Sequence, residues 1–145
     1  MRVTSLFAAV AGWMFVLGST AASGAEPAIV NSADAKWTHD AGDPPGSESI
    51  MLRADPQTGG IELLVRFPAG YVFAPHWHES NERIIVLEGR LAIGQGQKAK
   101  HLDPGGYAFL PAGEVQHLSC VSQTRCAFFL AWDGNPKSHK GPVNP

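Results

Sequence analysis

Much that would place a chain in a familiar functional class is missing from these 145 residues. No long amphipathic helical pattern occurs, so a helical fold has no basis. No internal repeat and no low-complexity segment is present. Lys and Arg number 11 against 13 Asp and Glu, for a net charge of −2, and no basic stripe forms. The sparse Lys98, Lys100, Lys137 and Lys140 read as solvated surface, which excludes nucleic acid as a partner. No Ser-His-Asp arrangement, phosphate loop or dinucleotide motif appears. With only two cysteines, Cys120 and Cys126, the chain cannot build a thiolate-rich metal cluster.

The longest apolar stretch, Leu6 to Leu17, is interrupted by Gly12 and is too short for a stable transmembrane span. With Arg2 before it and Ser23-Gly24-Ala25 after it, the segment has the three regions of a secretory signal peptide cleaved near Ala25. Residues 1–25 are therefore expected to be a signal peptide, and the mature chain from Glu26 to be periplasmic or secreted, with no membrane association after cleavage. Residues 26–49 and 133–145 are rich in turn formers and are expected to wrap a single domain spanning 50–132.

That domain is expected to be all-β. Short apolar runs are broken by Asp55-Pro56, Thr58-Gly59-Gly60, Gly94-Gln95-Gly96, Asp103-Pro104-Gly105-Gly106 and Pro111-Ala112-Gly113. They separate eight candidate strands at 50–54, 61–67, 71–78, 83–88, 90–93, 107–110, 115–121 and 125–132, a number that fits a jelly-roll barrel. Ile61, Leu63, Val65 and Phe67 alternate with Glu62 and Arg66, as in a half-buried strand. Residues 84–87 are apolar on both faces, which places that strand inside a sheet or under a covering layer.

The chemistry gathers in Gly70-Tyr-Val-Phe-Ala-Pro-His76-Trp-His78-Glu-Ser-Asn-Glu82-Arg-Ile-Ile-Val-Leu-Glu-Gly89. His76 and His78, two apart on a strand, share one face, and Glu82 follows a polar turn. Two imidazoles and a carboxylate suit one divalent transition metal ion, Fe, Mn, Ni, Cu or Zn.

Gly, five residues, His-x-His, three residues, Glu, six residues, Gly is the pattern of the first motif of the cupin superfamily, which this segment resembles at every fixed position. The stretch Gly105 to His117, with Pro111-x-Gly113, resembles the second motif, which supplies a third His. The resemblance covers about residues 60–130. It implies a cupin-type jelly-roll barrel, also described as a double-stranded β-helix, with a metal held by His76, His78, Glu82 and His117. It also implies a small-molecule ligand or substrate.

The second motif departs from the pattern by one residue: three residues, not two, separate Gly113 from His117, and Val121 stands where an Asn is expected. In a regular strand Gln116 would then face the metal and His117 the other side. A β-bulge near Glu114 or Val115 would turn His117 inward, and the expectation is that it does, because imidazole is the better ligand.

Three further readings come from the residues. If the strand carrying His76 and His78 is regular, Tyr71, Phe73 and Trp77 face outward. They would then mark a homodimer interface, as the resemblance implies, or a face covered by 26–46 with Trp37. Cys120 and Cys126 either form a short-range disulfide across a hairpin of 117–121 and 125–132 that turns at Ser122-Gln123-Thr124, as export permits, or stay buried thiols. The function expected is that of a metal-dependent oxygenase, isomerase or lyase acting on a small oxygen-rich molecule; the alternative is a non-catalytic metal- or ligand-binding or sensing module.

Overall fold

The computed structural model describes residues 26–39 and 45–141; the expected signal peptide lies outside these residues. The chain is all-β. Among the described residues ten strands run in order: β1 (Glu48–Ala54), β2 (Ile61–Phe67), β3 (Val72–His78), β4 (Glu82–Glu88), β5 (Leu91–Ile93), β6 (Lys100–Leu102), β7 (Tyr107–Leu110), β8 (Gln116–Cys120), β9 (Cys126–Trp132) and β10 (Ser138–Lys140). They form two five-stranded sheets, β1-β2-β9-β4-β7 and β10-β3-β8-β5-β6, and every pairing is antiparallel. This is a jelly roll: apart from the hairpins β1–β2 and β5–β6, consecutive strands cross from one sheet to the other, and the core lies between the sheets.

Side-chain alternation dictates which residues fill that core. On β2, Val65 and Phe67 are buried and Leu63 packs against them; on β9 the inward residues are Cys126, Phe128 and Leu130. Phe128 is almost wholly enclosed and meets Phe67 edge to face at 5.0 Å between ring centroids. β4 lies between β9 and β7 in its sheet. Its second apolar face is open to solvent, for Ile85 and Leu87 are exposed beside Tyr107 and Phe109 of β7.

Gly89 turns the chain from β4 toward β5 at φ +77°, and a Cβ there would come within 2.7 Å of Arg125 O. Only glycine meets both demands.

Three expectations need correcting. The C-terminal tail does not simply wrap the barrel, because Ser138–Lys140 joins a sheet as β10, pairing Ser138 with His78 and Lys140 with His76. β6 is a further strand between the expected ones. Cys120 and Cys126 do form a disulfide, yet β8 and β9 are not a hairpin: they belong to different sheets, and the bridge joins one sheet to the other.

Candidate metal centre

Where an extra residue sits in a strand pair decides which side chains meet inside this barrel. β3 and β8 pair Phe73 with Leu118 and then His76 with Gln116, so three residues are spent on β3 for two on β8. The bulge falls at Ala74-Pro75 on β3, not at Glu114 or Val115 ahead of β8. Proline has no N–H to give a sheet ladder and is accommodated at such irregularities, so Pro75 is the sequence signal that could have located it.

Two consequences follow. On β3 the bulge turns Phe73 to the same side as His76, and their rings stack with centroids 3.9 Å apart. The expected outward trio is thereby broken up: Phe73 and Tyr71 pack against the core, and Trp77 alone faces out, stacked at 4.1 Å on His139 of β10. Trp37 instead lies at the other sheet, under the Arg66 guanidinium at 4.2 Å.

On β8 there is no compensating bulge, so alternation runs unbroken: Gln116, Leu118 and Cys120 are buried, and His117 points the other way. The His117 ring is only half-buried, with Nδ1 3.1 Å from Gly94 O. The structure therefore brings together His76, His78, Glu82 and Gln116, and leaves His117 on the outer face of its sheet.

These four side chains are 3%, 7%, 2% and 3% exposed, which for polar groups demands partners. Both imidazoles are held from behind. His76 Nδ1 lies 2.9 Å from Ala74 O, and His78 Nδ1 lies 2.7 Å from Pro136 O in the segment leading to β10. A carbonyl oxygen only accepts, so each Nδ1 carries the hydrogen and each Nε2 presents a lone pair. Burial lowers the His76 pKa to about 4 and moves His78 in the same direction, so both rings are neutral at pH 7.

Glu82 enters from β4 in the facing sheet. Its Oε2 lies 3.4 Å from His78 Nε2 and accepts a hydrogen bond from Gln116 Nε2. Burial pushes its carboxyl up to about 7, against the opposing influence of Gln116 and of the Trp132 N–H. Trp132 Nε1 is near enough to favour the carboxylate but has no partner in hydrogen-bonding geometry among the described residues, and Gln116 Oε1 has none either.

Lone pairs on His76 Nε2, His78 Nε2 and Glu82 thus line one buried region, and Gln116 Oε1 belongs to the amide that donates to that carboxylate. Such a set of Lewis bases calls for a cation, and neutral imidazoles oriented by backbone carbonyls are how proteins present nitrogen ligands. The donors fit a divalent transition metal in kind. Among the described residues no three His, Cys, Asp or Glu side chains stand close enough together to hold a metal ion as they are, so the fit is one of donor chemistry, and the side chains would have to close on the ion.

The region opens into a cavity of about 140 Å³ between the β1–β2 and β3–β10 edges of the two sheets. Phe67, Phe73, Phe128 and Leu130 give it apolar walls, and Ser49 and Ser138 add hydroxyls.

Residues 25–133 match the family model described as the ChrR cupin-like domain. The chain belongs to this cupin family. This cupin is 31% identical over 93 residues to the DNA damage-repair/toleration protein DRT102 of Arabidopsis thaliana, a match covering 63% of this chain and 28% of that protein. It spans little more than a quarter of that relative's length. Among solved structures, the polyketide cyclase RemF from Streptomyces resistomycificus has a TM-score of 0.65 at 20% identity, covering 82% of this chain and 88% of that one. An acetylacetone dioxygenase from Acinetobacter johnsonii gives 0.62 at 18%, covering 77% and 76%. At such identities the likeness establishes the shared barrel.

Proposed function

We propose that this cupin is an exported, metal-dependent enzyme acting on a small molecule, with one divalent transition metal held by His76, His78 and Glu82. The observation that carries the reading is the pair of imidazoles whose Nδ1 atoms are committed to Ala74 O and Pro136 O, leaving both Nε2 lone pairs beside a buried carboxylate.

A metal at such a site would act as a Lewis acid toward an oxygen of the substrate. The chain's own residues would do the rest. His76 and His78 hold fixed tautomers, Glu82 supplies the single negative charge, and the apolar walls exclude water. One carboxylate against a divalent ion leaves net positive charge, which favours an enolic or carboxylate oxygen at the metal end. The cavity volume corresponds to one benzene-sized molecule. The substrate is thus better described as small and mainly apolar with one oxygen-bearing end than as oxygen-rich throughout. Solved neighbours named as a cyclase and a dioxygenase agree with small-molecule chemistry.

Export is supported by the charged, apolar and small-residue regions of 1–25 and by the Cys120–Cys126 bridge, which suits an oxidising compartment.

Elemental analysis of the protein purified without a metal-binding tag tests the reading. About one equivalent of metal is expected, lost in His76→Ala while the barrel stays folded by circular dichroism. Iron or copper would direct assays to dioxygen consumption; manganese, nickel or zinc would direct them to isomerase or lyase chemistry. No metal, and none on titration, would overturn this reading and put the binding module first.

A further inference from the structure

Gln116 is the least ordinary member of the site. It is 3% exposed and lies opposite His76 in the β3–β8 register. Its Nε2 donates to Glu82, so its amide orientation is set: nitrogen toward the carboxylate, oxygen away from it. That oxygen is buried and has no hydrogen-bond partner among the described residues. A buried acceptor left bare costs about 1–3 kcal/mol, and such atoms in folded proteins commonly mark the place of an ion or water.

The surroundings favour a cation. A water could donate to Oε1, but the two Nε2 lone pairs and the Glu82 carboxylate would still lie together, whereas one cation on which these side chains closed would satisfy every acceptor in the group. His117 cannot serve this function from where it stands, because its ring lies on the outer face of the sheet, against Gly94 O.

We infer that Gln116 Oε1 is the fourth protein donor to the metal, in place of an imidazole, and that this amide oxygen biases the site toward harder, oxygen-preferring ions such as Mn²⁺ and Fe²⁺ over Cu²⁺. The inference rests on the metal reading above and adds to it which side chain completes the ligand set. The chemical ground is that an amide carbonyl is a harder and weaker donor than imidazole while leaving the net charge of the site the same. Gln116 then has two tasks on one side chain: Nε2 orients Glu82, and Oε1 binds the ion.

Two probes test this on the purified protein, Cu²⁺ alone and Mn²⁺ alone. Electron paramagnetic resonance of the Cu²⁺ form should resolve two directly bound nitrogens in the wild type and three in Gln116→His. In competition against a chromophoric chelator, Gln116→Leu should bind Mn²⁺ about tenfold or more weakly. Gln116→His should gain at least about tenfold for Cu²⁺ relative to Mn²⁺, and His117→Ala should match the wild type for both ions. Circular dichroism confirms that each variant is folded. Three nitrogens in the wild type, falling to two in His117→Ala, would overturn the assignment. So would wild-type affinity for both ions in Gln116→Leu, and that result would leave the metal reading intact. Wild-type protein that takes up neither ion would overturn the metal reading and this inference together.

Discussion

At the end of the barrel where β8 carries Cys120 and β4 carries Val86, the inward side chains are apolar or bonded into the Cys120–Cys126 bridge. Val86, Leu91, Cys120 and Cys126 are between 0% and 1% exposed. Four residues away along the same two strands, the inward positions are Gln116 and Glu82, just as buried, and there a polar oxygen lacks a partner and a carboxyl is held far from its ordinary pKa. Burial is equal at the two ends and its consequences are opposite. Removing apolar surface from water stabilises the fold, whereas removing an acceptor or a charge from water costs energy that a bound ligand can return. One end supports the barrel and the other stores the binding chemistry.

The largest expected effect should fall on the fold and not on metal uptake, even though the residue concerned also walls the cavity. Phe128→Ala removes the largest fully buried side chain, which touches Phe67 across the core. It should cost about 3–5 kcal/mol in urea unfolding. The folded fraction should still take up its full equivalent of metal, the reverse of His76→Ala. A Phe128→Ala protein with wild-type stability would mean that the sheets are not held together where the packing places the core.

Titration of the polar end gives a smaller effect with a definite sign. The Glu82 carboxyl rises from 4.5 to about 7 on folding. Between those values the folded protein holds a proton that the unfolded chain has lost, so metal-free stability falls as pH rises through the window. His76 works the other way: its pKa drops from 6.5 to about 4, so stability is gained as pH rises from about 4 to 6.5, and His78 adds to that gain. The slopes oppose each other up to pH 6.5, and above it Glu82 acts alone. Glu82→Gln removes only the falling slope. Between pH 5 and pH 8, metal-free wild type should lose on the order of 2–3 kcal/mol relative to that variant. Parallel pH profiles from urea titrations in chelator would show that Glu82 titrates normally and that its environment is wetter than the burial implies.

The same division separates what the sequence discloses from what it conceals. The glycines, the His-x-His-x3-Glu spacing and the alternation of Ile61 to Phe67 are local, and the structure places each where its pattern puts it. β6 and β10 are three-residue strands made of Lys100-His-Leu and Ser138-His-Lys. No periodicity marks them, and they exist as strands only because β5 and β3 offer edges to pair with. The choice between Gln116 and His117 is non-local in the same way: β8 alone is consistent with either, and the answer lies across the sheet, in an extra residue on β3 beside Pro75.

The smallest effect should come from the bridge at the apolar end. Cys120–Cys126 closes a span of only six residues, so its removal frees little extra conformational space in the unfolded chain. Chain-entropy reasoning gives roughly 2 kcal/mol for a loop of that length. The bridge nevertheless ties β8 to β9 and therefore one sheet to the other, at the end remote from Glu82 and Gln116. In Cys120→Ala/Cys126→Ala the loss of stability should appear in full in a urea titration. Metal affinity, measured well below the variant's unfolding midpoint, should stay within about twofold of wild type, because distant sites without shared partners act independently. Loss of metal from the folded double variant would mean that β8 transmits strain from Cys120 to Gln116, and the two ends would then have to be treated as one cooperative unit.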